Sequence, residues 1–370
     1  MHRFQNHKTK KLALVIYASL DALSGGYLYD RKLVEYLRAH GDSVEIISLP
    51  WRNYAAHLAD NLSFRLPPGL DLVIEDELNH PSLLAANRRP HPYPVISLVH
   101  HLRSSEDRSA LHNTFYRWIE RRYLQGVDGF IFNSRTTQAV VQDLVGAAPS
   151  SLVAYPPTDR FEDTIKDHEI RARAESDEFG VLFLGNVIRR KGLHTLLEAM
   201  RQQTLDIRLD VVGSLDSEPK YAREMQSRVE ALGLESKVLF HGPLAKDELL
   251  PFLRQAHVLA VPSSYEGFGI VYLEGMAFGL PAIGTTAGAA SEIITDGVDG
   301  FLVRPGDANS LADGLRVLAG NRDLLARMSL AARARYNRQP KWETTAGQVR
   351  AFLKERIGYN SPTTTSPSHD

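Results

Sequence analysis

Short apolar runs alternate with segments of helical periodicity along nearly the whole chain. Strands are expected at 12–18, 43–48, 71–75, 94–99, 128–132 and 151–154, with helices near 27–40, 54–60, 81–87, 108–125 and 135–145. A second series begins with a strand at 179–184 and continues with strands at 207–212, 237–240, 257–261, 281–284 and 300–302. Its helices fall at 192–202, 219–233, 246–255, 269–278, 289–295 and 308–319, and helices near 322–335 and 342–357 close the chain. Strands that alternate with helices predict α/β architecture, with parallel sheets covered on both faces.

The two series divide the chain. Tyr155-Pro-Pro-Thr-Asp and the charged stretch 162–178 interrupt the pattern, so 161–178 reads as a linker. Residues 12–160 form the first expected domain and 179–335 the second, with 336–357 a closing helical segment. Residues 1–11 read as a disordered leader and 358–370, rich in Ser, Thr and Pro, as a disordered tail. The basic start followed by apolar Leu12–Leu20 mimics a signal peptide, but the strand reading is preferred because the residues just after it look functional.

Composition narrows the class. The chain has 370 residues, 43% of them apolar and 24% charged, as in a globular protein. A net charge of −1 gives no global signal for nucleic acid, and no nucleic-acid partner is expected. With no cysteine, disulfides, thiol catalysis and cysteine-based metal sites are excluded, and a cytoplasmic, reducing location fits. No apolar run is long enough to span a bilayer.

Candidate chemistry is densest in Pro262-Ser-Ser-Tyr-Glu-Gly-Phe-Gly-Ile-Val-Tyr-Leu-Glu274. Glu266 sits on a loop at the carboxyl end of a strand, and Glu274 on the helix that follows. Open α/β sheets bind ligands at such junctions. Gly267 and Gly269 let a ligand approach the backbone, and the helix start offers free N–H groups to an anion. Carboxylates beside an anion site suit a ligand with hydroxyls and phosphate, such as a nucleotide sugar.

Other candidates follow strand ends. Gly25-Gly26 permits a tight turn before a helix, or is an ordinary loop pair. His100 ends a strand, where an imidazole can bond a sugar hydroxyl or a phosphate, or simply be satisfied by backbone. Lys191, in Arg189-Arg190-Lys191-Gly192, is placed to neutralise a departing diphosphate, or belongs to a solvated basic run. Glu75, Asp76, Glu77 and His80 form either an acceptor-facing cluster or a charged loop. Helix 108–125 interleaves Phe115, Trp118, Ile119 and Tyr123 with Arg117, Arg121 and Arg122; it reads as a membrane-contacting face or as a core stripe with a solvated reverse side.

In this order the motifs resemble glycosyltransferase family 4, the retaining nucleotide-sugar enzymes of GT-B fold, over about 12–335. The carrying features are Gly25-Gly26, Val99-His100, Gly185…Arg190-Lys191-Gly192 and Glu266-x7-Glu274. Gly279-Leu-Pro-Ala282, Glu292-Ile-Ile and Asp299-Gly-Phe-Leu-Val303 are close to further family signatures. The resemblance implies two Rossmann-like domains with parallel sheets facing across a cleft, and a last helix that packs back on the first domain. It implies that the second domain binds the donor and the first the acceptor.

By that resemblance His100, Lys191 and Glu266 are the catalytic candidates. The donor would contact Gly25, Gly26, Asn186, Arg190, Lys191, Gly242, Leu244, Glu266, Gly267, Phe268, Gly269 and Glu274, with Glu274 on the ribose hydroxyls. Two positions depart from the family pattern: His101 follows His100 where an aspartate is frequent, and Asn186 stands where an arginine is common. The expected reaction moves a hexose from a UDP- or GDP-sugar to a sugar, lipid or small-molecule hydroxyl in glycan or glycolipid biosynthesis. Configuration is retained through front-face attack, with no cofactor and no required metal. The alternative is a non-catalytic nucleotide-sugar-binding protein of the same fold. A Rossmann oxidoreductase is disfavoured, because Ser24-Gly25-Gly26-Tyr27 does not supply G-x-G-x-x-G.

Overall fold

The computed structural model describes residues 9–21, 25–146, 149–157, 159–161, 164–203 and 206–359. The leader through Lys8 and the tail beyond Tyr359 lie outside the described residues, as do Ser24 and residues 162–163 of the expected linker. Two compact units emerge. One gathers the described residues within Met1–Ser104, Arg108–Pro156 and Trp342–Asp370; the other gathers Ser105–Asp107 and those within Pro157–Lys341.

The first unit holds a six-stranded parallel sheet. Its strands are β1 (Lys11–Tyr17), β2 (Ser43–Leu49), β3 (Leu72–Asp76), β4 (Val95–Val99), β5 (Gly129–Phe132) and β6 (Ser151–Val153), in the order β2-β1-β3-β4-β5-β6. Both faces of β1 are used. Leu12, Leu14 and Ile16 join one apolar cluster, and Ala13, Val15 and Tyr17 join another on the opposite face. Such continuous burial is what helices on both faces of a parallel sheet produce. The helix Trp342–Tyr359 supplies Val349, Phe352 and Leu353 to the first cluster. Arg350 Nε fastens it by donating to Asp42 Oδ2 at 2.6 Å.

The second sheet contains β7 (Phe179–Leu184), β8 (Ile207–Val212), β9 (Val238–Gly242), β10 (Val258–Ala260), β11 (Ala282–Thr285) and β12 (Gly300–Val303). Their spatial order is β12-β11-β10-β7-β8-β9. After β9 the chain crosses to the other side of β7, so β7 and β10 flank a topological switch point. The corresponding switch in the first sheet lies between β1 and β3. Ligands of open α/β sheets bind beyond the carboxyl ends of strands at such points.

Several elements differ from expectation. Residues 161–178 are not a bare linker: the helix Asp167–Ala174 buries Ile170 and Ala174. Its Arg173 donates to the carbonyls of Arg254, Phe278 and Gly279 at 3.2, 3.0 and 2.9 Å. Charged residues with few large apolar ones concealed a helix that is fixed by hydrogen bonds rather than by an apolar face. The expected helix 289–295 is only a 3₁₀ turn, Ala289–Glu292. The segment near 81–87 shrinks to His80–Leu83, with Pro81 setting its start. Residues 336–357 are not one element, since a helix ends at Asn337 and the next begins at Trp342.

Candidate functional site

In the second unit, β7 leads into a 3₁₀ turn, Arg189–Lys191, and β10 leads into the loop that bears Glu266. Lys191 Nζ donates to Glu266 Oε1 at 2.6 Å. Ser263 Oγ donates to the same oxygen at 2.6 Å, and Arg190 Nη1 approaches it at 3.4 Å. Arg190 is itself held by the Tyr265 carbonyl at 2.7 Å. The Glu266 backbone is fixed as well, its carbonyl accepting from Ala289 N at 2.8 Å.

Gly192 makes this approach possible. It turns the chain at φ +74° into the helix Leu193–Arg201, and a Cβ there would lie 2.1 Å from the Pro262 carbonyl oxygen. Only glycine lets the β7 and β10 loops come this close. Gly269 opens the next helix at φ +91°. That helix, Ile270–Met276, is shorter than the expected 269–278.

The electrostatics follow from this packing. Burial alone would raise the Glu266 carboxyl. Lys191 and Arg190, then the Lys191 and Ser263 hydrogen bonds, outweigh burial and hold it at about 2. Burial pulls the Lys191 ammonium down, and Glu266 opposes that. Glu266 is therefore a permanently ionised hydrogen-bond acceptor, unsuited to donating a proton at neutral pH. Glu274, also buried, pairs with Arg160.

In the first unit, the ends of β1, β3 and β4 carry the candidates. His100 Nε2 lies 3.1 Å from Asp30 Oδ1, on the helix Gly25–Ala39. A Cβ at Gly26 would sit 3.2 Å from the His100 ring, so the double glycine leaves room for the imidazole. Asp76, Asp30 and His100 place their ligand-type atoms within 4.8 Å of one another. Burial, then the Asp30 charge, raises Asp76 to about 8. Burial would lower His100, but the charge and hydrogen bond of Asp30 lead the opposing effects and raise it to about 9.

The acidic run splits three ways, and none of it is a solvated loop. Glu75, Asp76, Glu77 and His80 are all buried. Glu75 turns into the unit's interior and accepts from Asn87 at 2.8 Å. Burial raises it to about 7. Glu77 and His80 meet Glu120, and His80 Nε2 also meets the Tyr54 hydroxyl at 2.9 Å. Both three-residue groupings have the residue types of a metal centre. In each, the histidine also bonds protein groups: His100 bonds Asp30, and His80 bonds Tyr54 and the Glu77 carbonyl.

Residues 165–335 match the family model described as glycosyl transferases group 1. That match lies within the second unit. A D-inositol 3-phosphate glycosyltransferase of Xylanimonas cellulosilytica is 28% identical over 240 residues, covering 62% of this chain and 57% of that protein. A GDP-mannose-dependent alpha-(1-6)-phosphatidylinositol monomannoside mannosyltransferase of Mycobacterium tuberculosis is 31% identical over 253 residues, 64% of each. The match thus spans less than two thirds of these curated relatives.

Among solved structures, sucrose-phosphate synthase from Thermosynechococcus elongatus superposes with a TM-score of 0.80 at 22% identity, covering 95% of this chain and 100% of that one. Anabaena HepE in complex with UDP and glucose gives 0.72 at 20% identity, covering 93% and 99%. These likenesses are of fold, and they make the two Rossmann-like units a GT-B pair.

The expected site residues separate into sets. Arg190, Lys191 and Glu266 come together, and Gly26 meets His100. Glu274 is buried nearby in sequence but engaged by Arg160. Gly242 ends β9 at φ +69°, and its carbonyl accepts from Gly213 N at 2.9 Å. Leu244 is half-buried on the following loop, and Phe268 is buried. Asn186 lies on the loop after β7, beside Gly213 from the loop after β8, and its carbonyl accepts from Ile188 N at 2.9 Å.

Two participants were missed in the sequence. Asp30 is fully buried, together with Tyr27, Val34 and Leu37 on one helix face. A carboxylate at a position of the apolar period was the available signal. Arg160 gave none, since it lies outside any periodic element.

Proposed function

We propose that the chain is a retaining glycosyltransferase that moves a sugar from a nucleoside-diphosphate sugar to a hydroxyl acceptor. The observation that carries this reading is the convergence of Lys191 and Arg190 on Glu266 at the β7/β10 switch point. Two cations there would face the charge that builds on a departing diphosphate, and preorganised charge of this kind lowers a transfer barrier most. Ionised Glu266 would accept from donor-sugar hydroxyls, and Glu274 from the ribose. With the leaving-group charge met by side chains, the reaction would need no metal. Front-face attack would let the leaving phosphate take the acceptor proton, so no protein nucleophile is required.

The relatives support a nucleotide-sugar donor without naming this chain's base. One is called GDP-mannose-dependent, and HepE was solved with UDP and glucose. The test is a panel of UDP- and GDP-sugars, read first by thermal shift and then by transfer to sugar, lipid and small hydroxyl acceptors. A ligand bound only by the folded state raises its midpoint. Stabilisation by one donor class with turnover supports the reading; stabilisation with no turnover on any acceptor favours the non-catalytic binding protein.

The first unit also offers a surface suited to an anionic membrane, as expected for a lipid-linked acceptor. On the helix Ala110–Leu124, Leu111, Phe115 and Trp118 are 85%, 44% and 56% exposed, whereas Ile119 and Tyr123 are buried. Arg117, Arg121 and Arg122 are exposed, and the helix's one acidic residue, Glu120, points inward and is fully buried. Apolar residues flanked by cations alone match an anionic interface. No helix among the described residues is long and apolar enough to cross a membrane. Co-sedimentation with phosphatidylglycerol vesicles, lost in Trp118→Glu and absent with phosphatidylcholine, would support this contact. Equal recovery with both lipids would refute it.

A further inference from the structure

The buried carboxylate of Asp30 belongs to none of the motifs that carry the glycosyltransferase reading. It lies on the helix Gly25–Ala39 at the carboxyl end of the first sheet, wholly removed from solvent. One oxygen meets His100 Nε2 at 3.1 Å. The other, Oδ2, is buried and has no hydrogen-bond partner among the described residues. As a device for stability alone this is poor. A buried carboxylate with an unsatisfied oxygen is expensive, and an apolar residue would serve the face it shares with Tyr27, Val34 and Leu37.

We propose that Asp30 is a positioning residue, whose carboxylate fixes the His100 ring so that Nδ1 is the nitrogen left to a sugar hydroxyl. The identity of that hydroxyl rests on the glycosyltransferase reading; the pairing itself does not. Three features of the surroundings agree. Among the described residues, no hydrogen bond to the ring other than that of Asp30 is found. The Tyr29 ring packs against it at 5.6 Å, nearly edge-on, and the bare backbone of Gly26 lies beside it. The His100 side chain keeps 14% of its surface exposed while Asp30 keeps none, so the histidine is the member of the pair that a ligand can reach.

The pairing also sets the charge of the ring. The acidic groups that face His100 are Asp30 from the helix and Asp76 and Glu77 from the end of β3. Against the ring's burial, the charge and hydrogen bond of Asp30 lead the effects that keep the imidazole protonated above neutrality. Nδ1 then carries a proton and donates. Without the Asp30 charge, burial favours the neutral ring, and the proton at Nδ1 is no longer assured at neutral pH.

The experiment follows the His100 ring resonance by NMR across pH in the full chain, assigned by its loss in His100→Gln. In parallel, kcat and donor KM are measured against pH for the unmodified chain and Asp30→Asn. The expected midpoint is about 9 in the unmodified chain. In Asp30→Asn it falls, and kcat at pH 8 drops at least about tenfold while donor KM stays within about twofold, the kcat deficit narrowing toward pH 6. A midpoint near the ordinary 6.5 in the unmodified chain overturns the proposal, even if Asp30→Asn fails to fold. So does a midpoint or a pH–rate profile that Asp30→Asn leaves unmoved. A chain that transfers no sugar sinks the glycosyltransferase reading instead, and the midpoint shift alone then decides whether Asp30 governs His100.

Discussion

Lys191 Nζ lies 2.6 Å from Glu266 Oε1, although 75 positions separate the two residues. The contact joins the loops after β7 and β10, the two strands that flank the switch point of the second sheet. Both side chains are largely buried, at 14% and 8% exposure, so solvent screens the pair little. It is the pivot of the proposed donor site, and it makes the site's charge part of the fold's stability.

Acid should expose that dependence. The folded pKa of Glu266, about 2, lies below the ordinary 4.5. The unfolded chain therefore takes up this proton first as pH falls. The carboxylate adds stability above about pH 4.5 and loses it progressively toward pH 2. A depression of this size is worth on the order of 3 kcal/mol. Urea unfolding should show Glu266→Gln less stable than the unmodified chain at pH 7, with the gap closing as pH approaches 2. A gap that stays constant with pH would mean that the loss comes from packing.

Asp76 carries the opposite sign. Its folded pKa, about 8, lies above the ordinary 3.8, so the folded state must take up a proton that the unfolded chain releases. The stability linked to this group is present below about 3.8 and is lost as pH rises through about 8. Asp76→Asn, which cannot titrate, should gain on the unmodified chain as pH rises. Thermal midpoints should differ little at pH 4 and by at least ~3 °C in favour of the variant at pH 9. A variant that is less stable at pH 9 would contradict this assignment.

Arg160 should compete with the donor. It pairs with Glu274, the carboxylate proposed for the ribose hydroxyls. The Arg160 side chain is 39% exposed, so the pair is worth little, about 1 kcal/mol or less. Arg160→Ala should tighten nucleotide binding by up to about fivefold in calorimetry, while Glu274→Ala weakens it at least about tenfold. Weaker binding in Arg160→Ala would make the arginine a ligand of the nucleotide instead.

The sequence was most informative where a single period decided the outcome. The twelve expected strands are all found among the described residues, and the clearest are β4, β5 and β7, whose burial along their whole length calls for a near-continuous apolar run. Gly192, Lys191 and Glu266 were legible because loops at strand ends carry ligand chemistry on such sheets. The helix Asp167–Ala174 was not, since arginine–carbonyl bonds fix it where an apolar stripe would be sought. The run Glu75–His80 is expected as either an acceptor-facing cluster or a charged loop, but its residues are buried and, lying on a strand end and a tight turn, point in different directions. The place of Asp30 in the apolar period marks it as buried, but its partner His100 is 70 positions away, so the pairing itself was hidden.

The central claim is that Lys191 stabilises the departing diphosphate. It is tested most directly by measuring kcat and donor dissociation constant for Lys191→Ala beside the unmodified chain, at a temperature where circular dichroism shows both folded. The account predicts a fall in kcat of at least about a hundredfold, with donor affinity changed by less than about tenfold, because the interaction strengthens as charge develops. Full turnover by a folded Lys191→Ala would contradict it.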